Sequence, residues 1–256
     1  MIYKTEPKDW KELQVKVGKI LEQCSFTVEV EKNITTARGN VEADVYAEEN
    51  IDDRKYSIIC ECKYWKSNIP QNYIYSLRTI INDIGINKGY LITTSGFQKG
   101  AIKSSIYTNI DLLTWGEFQK DFFSSWYEHY FYNKLNSILY RDYDQNEIQL
   151  FGNFELIDKK TYQNLIQKHD ALQTIFSDFP APILKHLYKD YYKNLSEKLP
   201  LIEKLNEIHL YNLDIQDLIP QDILNEKSHI EFLNKIASFA TPIYDKLDTL
   251  NLRSIE

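Results

Sequence analysis

Val41-Glu42-Ala43-Asp44-Val45-Tyr46-Ala47-Glu48, the polar turn Asn50-Ile51-Asp52-Asp53-Arg54, and Tyr56-Ser57-Ile58-Ile59-Cys60-Glu61-Cys62-Lys63 are the stretch on which the fold turns. Val41, Ala43, Val45 and Ala47 alternate with Glu42, Asp44, Tyr46 and Glu48, the period of two that marks a strand. The second run is apolar until it closes on acid, cysteine and lysine. Two such runs around a turn make a hairpin that carries both Asp44 and Glu61. Successive strand side chains point to opposite faces, so Glu61 and Lys63 share one face and Cys60 and Cys62 the other. An acid and a lysine side by side at a strand end are poor core material, because buried charge is costly unless paired or metal-bound. They suit a divalent cation held next to a water. The spacing alone says little: acid-any-Lys occurs five times, at Glu6-Pro7-Lys8, Asp9-Trp10-Lys11, Asp53-Arg54-Lys55, Glu61-Cys62-Lys63 and Asp158-Lys159-Lys160. Of these, Glu61-Cys62-Lys63 is the one that ends a strand-like run.

Outward from the hairpin, helices and strands alternate. Trp10, Leu13, Val17, Ile20 and Leu21 recur at helical spacing, which predicts an amphipathic helix over about residues 7–23. A short strand follows from Ser25 to Val30. Beyond Lys63, Asn68 and Pro70 signal the start of a helix over about 70–84. Gly89 to Thr94 reads as a buried strand, Gly96 to about Tyr107 as a helix, and Ile110 to Leu113 as a last short strand. Helix, three strands, helix, strand, helix, strand predicts an α/β sandwich with a mixed sheet.

From Trp115 the pattern changes. Phe118, Phe122, Phe123, Trp126, Tyr127, Tyr130 and Phe131 crowd one helical segment, more than a narrow stripe holds. Such a segment bridges two halves, forms a subunit contact, or packs on the first domain. After a polar break at Arg141 to Asn146 the chain reads as mainly helical. Leu184, Leu187, Tyr188, Tyr191 and Leu195 give one periodic face, and Ile230, Leu233, Ile236 and Ala237 another. Pro180, Pro182, Pro200, Pro220 and Pro242 punctuate these helices. The division expected is residues 1–140 and residues 141–256, the second part serving recognition, assembly or regulation.

Bulk properties narrow the class. A chain of 256 residues with 43% hydrophobic and 26% charged residues has the make-up of an ordinary globular protein large enough for a sizeable core. No apolar stretch approaches the ~20 residues that span a bilayer, and the polar start from Met1 to Pro7 is no signal peptide. No membrane partner is expected. Three cysteines make no disulfide framework, so a reducing, cytoplasmic setting is expected. The net charge of −7 argues against DNA binding by bulk attraction alone. It is unevenly spread: residues 1–140 carry 17 basic against 18 acidic side chains, or −1, leaving −6 for residues 141–256. Nucleic acid is tolerated at the near-neutral first part and disfavoured at the second.

Asp44 and Glu61 on adjacent strands repel each other, and a hard, oxygen-seeking cation such as magnesium removes that penalty. Lys63 on the same face can orient a water and stabilise charge growing on a phosphorus centre. These are the parts of metal-assisted phosphodiester hydrolysis. Taken singly, Asp44 also reads as a solvated strand residue and Glu61-Lys63 as a weak surface ion pair. Their joint placement in one hairpin favours a site.

Gly39-Asn40-Val41-Glu42-Ala43-Asp44-Val45, Ile59-Cys60-Glu61-Cys62-Lys63 and Gly89-Tyr90-Leu91-Ile92-Thr93-Thr94-Ser95-Gly96-Phe97, in this order of helices and strands, resemble the Mrr-like branch of the PD-(D/E)XK nucleases over roughly residues 8–115. The resemblance implies a restriction-endonuclease-like α/β/α sandwich with a mixed sheet, followed here by a mainly helical C-terminal domain. It implies that Asp44 and Glu61 are metal ligands, that Lys63 is the catalytic lysine, and that the Cys62 carbonyl also touches the metal. Many relatives place a further acid on the first helix, and Glu12 stands at the matching point, just after an aromatic, although Lys16 one turn on also makes it a plain surface pair. Glu61 stands where many Mrr-like proteins have glutamine and follows the wider superfamily pattern. The implied cofactor is Mg2+, with Mn2+ as substitute. The implied activity is DNA endonucleolysis in restriction or anti-phage defence, with a defence-system partner protein possible. Cleaving both strands needs two sites, which implies a homodimer or higher assembly.

Auxiliary residues have two readings each. Glu42 shares Asp44's face, as an accessory acid or a solvated residue. Gln71 opens the helix after the lysine and is placed near the scissile phosphate in some relatives. Ser95, Gln98 and Lys99 sit where a strand gives way to a helix. There they contact phosphate, together with Lys103, or Ser95 simply caps the helix. Cys60 and Cys62 lack a second ligand pair for zinc. Histidines 129, 169, 186, 209 and 229 all fall outside the α/β region and form no metal motif. Lys185 to Lys193 mixes basic and aromatic residues as single-strand binders do, or buries its tyrosines in a core. Two other functions stay open: a non-catalytic nucleic-acid-binding or complex-forming subunit that keeps the nuclease fold, and a structure-selective DNA resolvase.

Overall fold

A computed structural model of the protein describes residues 1–140, 159–203 and 215–252. The polar break at Arg141 to Asn146, where the sequence divides, lies outside the described residues, as do Asp158 and His209. Two compact units emerge, Lys4–His129 and Met1–Tyr3 with Tyr130–Glu256.

The first unit follows the predicted order: α1 (Trp10–Gln23), β1 (Thr27–Thr36), β2 (Gly39–Ile51), β3 (Arg54–Lys63), α2 (Asn72–Ile84), β4 (Lys88–Thr93), α3 (Lys99–Ser105), β5 (Ile110–Thr114) and α4 (Trp115–Trp126). The sheet order is β1-β2-β3-β4-β5. The first three strands are antiparallel, and β4 and β5 add in parallel. The sheet is therefore mixed because tight turns join β1, β2 and β3, while helical crossovers join β3 to β4 and β4 to β5. In the β2–β3 turn, Asp52 and Asp53 both take left-handed φ, 49° and 61°, between the paired Ile51 and Arg54. That is the two-residue turn whose twist matches the flanking strands.

Helices cover both faces. On one, Ile74, Leu77 and Ile81 of α2 and Ala101 of α3 pack with Tyr46, Ile59 and Leu91 of the sheet. Gly89 permits this approach, since a Cβ there would collide with Ile81. On the other face α1 buries Leu13, Val17, Ile20 and Leu21, and α4 brings Phe118 and Phe122 against Tyr90 at ring separations of 6.2 and 5.5 Å. Trp126 Nε1 donates to Gln23 Oε1 at 2.7 Å. The part of the aromatic segment from Phe118 to Trp126 thus packs on the α/β unit, the third of its three readings, whereas Tyr130 and Phe131 belong to the second unit. β1 runs six residues past the predicted end at Val30.

The second unit is helical: α5 (Tyr132–Leu139), long helices Lys159–Ser177 and His229–Leu252, and short turns between. Phe131, Phe179 and Phe232 form its aromatic centre at ring separations of 5.3 to 6.5 Å. The face read from Leu184 to Leu195 is not one helix. A 3-10 turn at Pro182–Leu187 and a short helix at Tyr191–Ser196 are separated by Asp190 at φ 53°, and Leu187 is 75% exposed. Pro242 lies inside the last helix rather than at its end. No described helix is long and apolar enough to cross a membrane.

Candidate active site

Asp44, Glu61 and Lys63 meet where β2 and β3 part. The last paired residues are Val45 and Cys60. The same register would bring Cys62 opposite Ala43, but the Cys62 N–H instead donates to Asp44 Oδ2 at 2.7 Å. The side chain of Asp44 thus takes the place of a main-chain acceptor. On its other side, the β1–β2 pairing passes from Val30–Val45 to Lys32–Ala43 without a Glu31–Asp44 pair, and Glu31 has left-handed φ of 56°. Such irregular backbone gathers at functional sites. Ala43 and Tyr46 both join the α2-side core, although a regular strand would turn them to opposite faces.

The charges are close and half-buried. Lys63 Nζ pairs with Glu61 Oε1 and lies 3.8 Å from Asp44 Oδ2. Burial first, then the Asp44 charge, raise the Glu61 carboxyl above its usual range, against the opposing pull of Lys63. Burial by itself lowers Lys63, yet the charges of Glu61 and Asp44 outweigh it and leave the ammonium raised. Lys63 is therefore a positive charge and hydrogen-bond donor, not a base. Its ammonium lies 5.6 Å from the centre of the Tyr73 ring of α2. Its main-chain carbonyl accepts from Thr94 N at 3.2 Å and Thr93 Oγ1 at 3.0 Å, which fixes the strand end.

Gln14 of α1 completes the cluster and was not singled out from the sequence. It is 4% exposed, and its Nε2 donates to Asp44 Oδ1 at 2.8 Å. Its Oε1 is buried without a hydrogen-bond partner. The signal was there: Gln14 falls with Val17 and Leu21 at i, i+3 and i+7, a polar residue on the apolar stripe.

Glu12 is not brought to this cluster. It accepts from Lys8 N at 2.6 Å and pairs with Lys16 at 3.1 Å, while Asp9 Oδ1 accepts from Glu12 N at 2.8 Å. Asp9 caps α1, while the Glu12 carboxylate reaches back to the N–H of Lys8, the residue before the cap. Residues two apart on a helix face about 200° apart, so Gln14 at the site turns Glu12 away from it. Glu42 is exposed, two residues before Asp44. Gln71 caps α2 without a side-chain bond, and its amide oxygen lies against Gly100 of α3, not against the carboxylates. Ser95 does not cap α3. Its hydroxyl donates to Ser67 O at 2.8 Å, and Gln98 is the N-cap residue. Gln98 and Lys99 are exposed at that helix start.

The donor set bears on a metal. Among the described residues no three His, Cys, Asp or Glu side chains form a metal-binding group. Two carboxylates remain, together with the Cys62 carbonyl, which in a strand points to the same edge as its N–H and hence toward Asp44. These are hard oxygen donors. The Cys60 and Cys62 thiols lie buried on the opposite face, and burial pushes both up so that they stay protonated. The set fits a hard divalent cation.

Residues 6–120 match the profile of the Mrr_cat family, described as restriction endonuclease, so the resemblance read from the sequence holds over that segment. Domains of this kind generally use divalent metals. No curated protein matches the chain. Among solved structures it is similar to AF1548, a protein of unknown function, at 16% identity and a TM-score of 0.38, over 90% of this chain and 100% of that one. It is also similar to the DNA modification-dependent restriction endonuclease AspBHI, at 11% identity and a TM-score of 0.30, over 46% of this chain and 38% of that one.

Proposed function

We propose that the protein is a magnesium-dependent DNA endonuclease whose α/β part hydrolyses phosphodiester bonds at the Asp44–Glu61–Lys63 cluster, in restriction or anti-phage defence. The observation that carries this reading is the charge balance of the cluster: two carboxylates share one lysine at a strand end, inside a segment that matches restriction endonucleases. In this reading Asp44, Glu61 and the Cys62 carbonyl hold the cation, for which Mn2+ substitutes. When bound, the cation supplies Lewis acidity and offsets the repulsion between the carboxylates. The Lys63 ammonium orients the attacking water and meets the charge that grows on the phosphate. Gln14 fixes the rotation of the Asp44 carboxylate through its N–H bond. Lys99, Gln98 and Gln71, on the α2 and α3 starts, bear on the phosphate backbone. The division proposed is a nuclease domain over residues 1–140 and a helical domain for recognition, assembly or regulation over 141–256, working as a homodimer so that both strands are cut.

The test is incubation of the protein with plasmid, single-stranded DNA and RNA, with and without Mg2+. Nicking or linearisation of DNA that needs the cation and disappears in Lys63→Ala supports the reading. Wild-type cleavage by Lys63→Ala sinks it.

A further inference from the structure

The loop that leaves Lys63 exposes two consecutive aromatics, Tyr64 at 40% and Trp65 at 37%. It is not a floppy connection. Trp65 N donates to Lys63 O at 3.0 Å, and Thr94 Oγ1 donates to Trp65 O at 3.1 Å. Ser95 Oγ donates to Ser67 O at 2.8 Å. Ile69 N donates to Gly96 O at 2.8 Å, and Gln98 N to Ile69 O at 3.0 Å. The loop is thus clamped along its length to the segment that follows β4. The indole is braced from the side, its ring 5.2 Å from that of Tyr73 at 86°, and Tyr73 also lies near the Lys63 ammonium. Lys66 follows on the same loop.

The indole is not one of the buried residues of the α2-side core, which it meets through Tyr73, and more than a third of it faces solvent beside a cluster of charges. What fits it is a flat π-surface joined to a phosphate that Lys63 and Lys66 attract. A nucleobase answers that description, and aromatic side chains stack on bases of any sequence. Within a paired duplex each base face is already covered by its neighbours. An indole fixed in place reaches a base only where stacking is broken, at a gap, a bulge, a frayed end or a single strand.

We propose that Trp65, braced by Tyr73, stacks on an unstacked base next to the scissile phosphate, so that the substrate is DNA that is unpaired or distorted at the point of cleavage. This rests on the nuclease reading and adds the class of substrate to it.

The test is binding of the full-length protein, in EDTA so that nothing is cut, to three labelled DNAs of one sequence followed by fluorescence anisotropy. They are a perfect duplex, the same duplex with two unpaired nucleotides, and the single strand. Wild type binds the interrupted duplex and the single strand more tightly than the perfect duplex, by about 5- to 150-fold for one stacked base. Trp65→Ala loses that preference and keeps the affinity for perfect duplex, whereas Trp65→Phe, which retains a ring, keeps most of the preference. Equal affinity of wild type for all three DNAs overturns the inference and leaves the nuclease reading standing. So does a Trp65→Ala variant that weakens all three by one factor, the mark of a purely structural tryptophan. Absence of binding to any DNA, with no cleavage when Mg2+ is restored, defeats the nuclease reading and this inference together.

Discussion

The cluster at the end of β3 and the centre around His229 are both polar groups set among hydrophobic residues, and they are built in opposite ways. His229 is fully buried, with Nδ1 3.0 Å from the Met1 carbonyl and Nε2 3.1 Å from the Leu195 carbonyl. Beside it the Ser228 hydroxyl donates to Ile2 O at 2.9 Å. Burial pushes the imidazole down to about 4, so it is neutral at pH 7. This is polarity spent on tying chain segments together. The cluster of Asp44, Glu61 and Lys63 holds three charges with a net of −1, and Gln14 Oε1 beside it is left without a partner. Buried polar groups that serve only the fold mostly find hydrogen-bond partners, many of them on the main chain. The surplus charge and the unmet acceptor at this strand end are what motivate the proposed metal site.

The hardest way to break that contrast is to remove the charges of the cluster. Lys63→Ala and Asp44→Asn are expected to lower Mg2+-dependent plasmid cleavage by about a hundredfold to a thousandfold or more, the usual effect of losing a group that meets transition-state charge. Far-UV circular dichroism should stay that of the wild type. Near-normal cleavage would reduce the cluster to a structural ion pair and erase its difference from His229.

The converse change at the second centre falls on stability. His229→Ala leaves a cavity beside Phe131, whose ring is 5.3 Å from the imidazole, and removes the one N–H that the neutral ring offers to a main-chain carbonyl. A loss of about 2–4 kcal/mol in urea-induced unfolding is expected. The pH dependence has a definite sign. The folded-state value of about 4 lies below the unfolded 6.5, so the neutral ring's contribution is complete above pH 6.5 and is lost as pH falls toward 4. That span corresponds to about 3 kcal/mol. Urea midpoints between pH 7.5 and 4 should fall more steeply in wild type than in His229→Gln. Parallel slopes would show that His229 does not titrate in this range.

These two centres were not equally legible. The hairpin is readable because half-buried strands write their faces into the sequence with a period of two, and that places Asp44 next to Glu61 and Lys63 from the sequence alone. The outer half of β1, Glu31 to Thr36, was missed because an edge strand facing water carries Lys32, Asn33 and Thr35 without an apolar alternation. The periodic face from Leu184 to Leu195 misled because hydrophobic spacing does not report the left-handed turn at Asp190. The role of His229 could not be read at all. Its partners are main-chain carbonyls at residues 1 and 195, and carbonyls have no letter in the sequence.

A smaller effect sharpens the contrast from inside the cluster. Gln14→Leu deletes the N–H bond to Asp44 and at the same time the buried, unpartnered Oε1. The two changes offset, so stability should stay within about 1 kcal/mol of wild type. Asp44 loses its fixed orientation, so cleavage should fall about tenfold, with more Mg2+ needed for half-maximal rate, as for groups that orient a metal ligand. A large stability loss with an unchanged Mg2+ requirement would assign Gln14 to the fold and not to the site.

The smallest expected effect is at Glu12, and it separates two meanings of an acid on the first helix. Asp9-Trp10-Lys11-Glu12 spells a helix cap, acid at the first position and acid three residues on, and the structure uses Asp9 as that cap, with Glu12 bonded to Lys8 N just before it. Glu12 is held low first by the Lys8 N–H and then by Lys16, both local to the helix start. An exposed pair of this kind contributes little, and Glu12→Gln is expected to keep cleavage within about twofold of wild type and the Mg2+ requirement unchanged. A loss comparable to that of Asp44→Asn would mean that α1 turns by half a circle when the cation binds, and that Gln14 and Glu12 exchange places. The pair of substitutions on one helix, two residues apart, therefore reads out which face of α1 addresses the carboxylates.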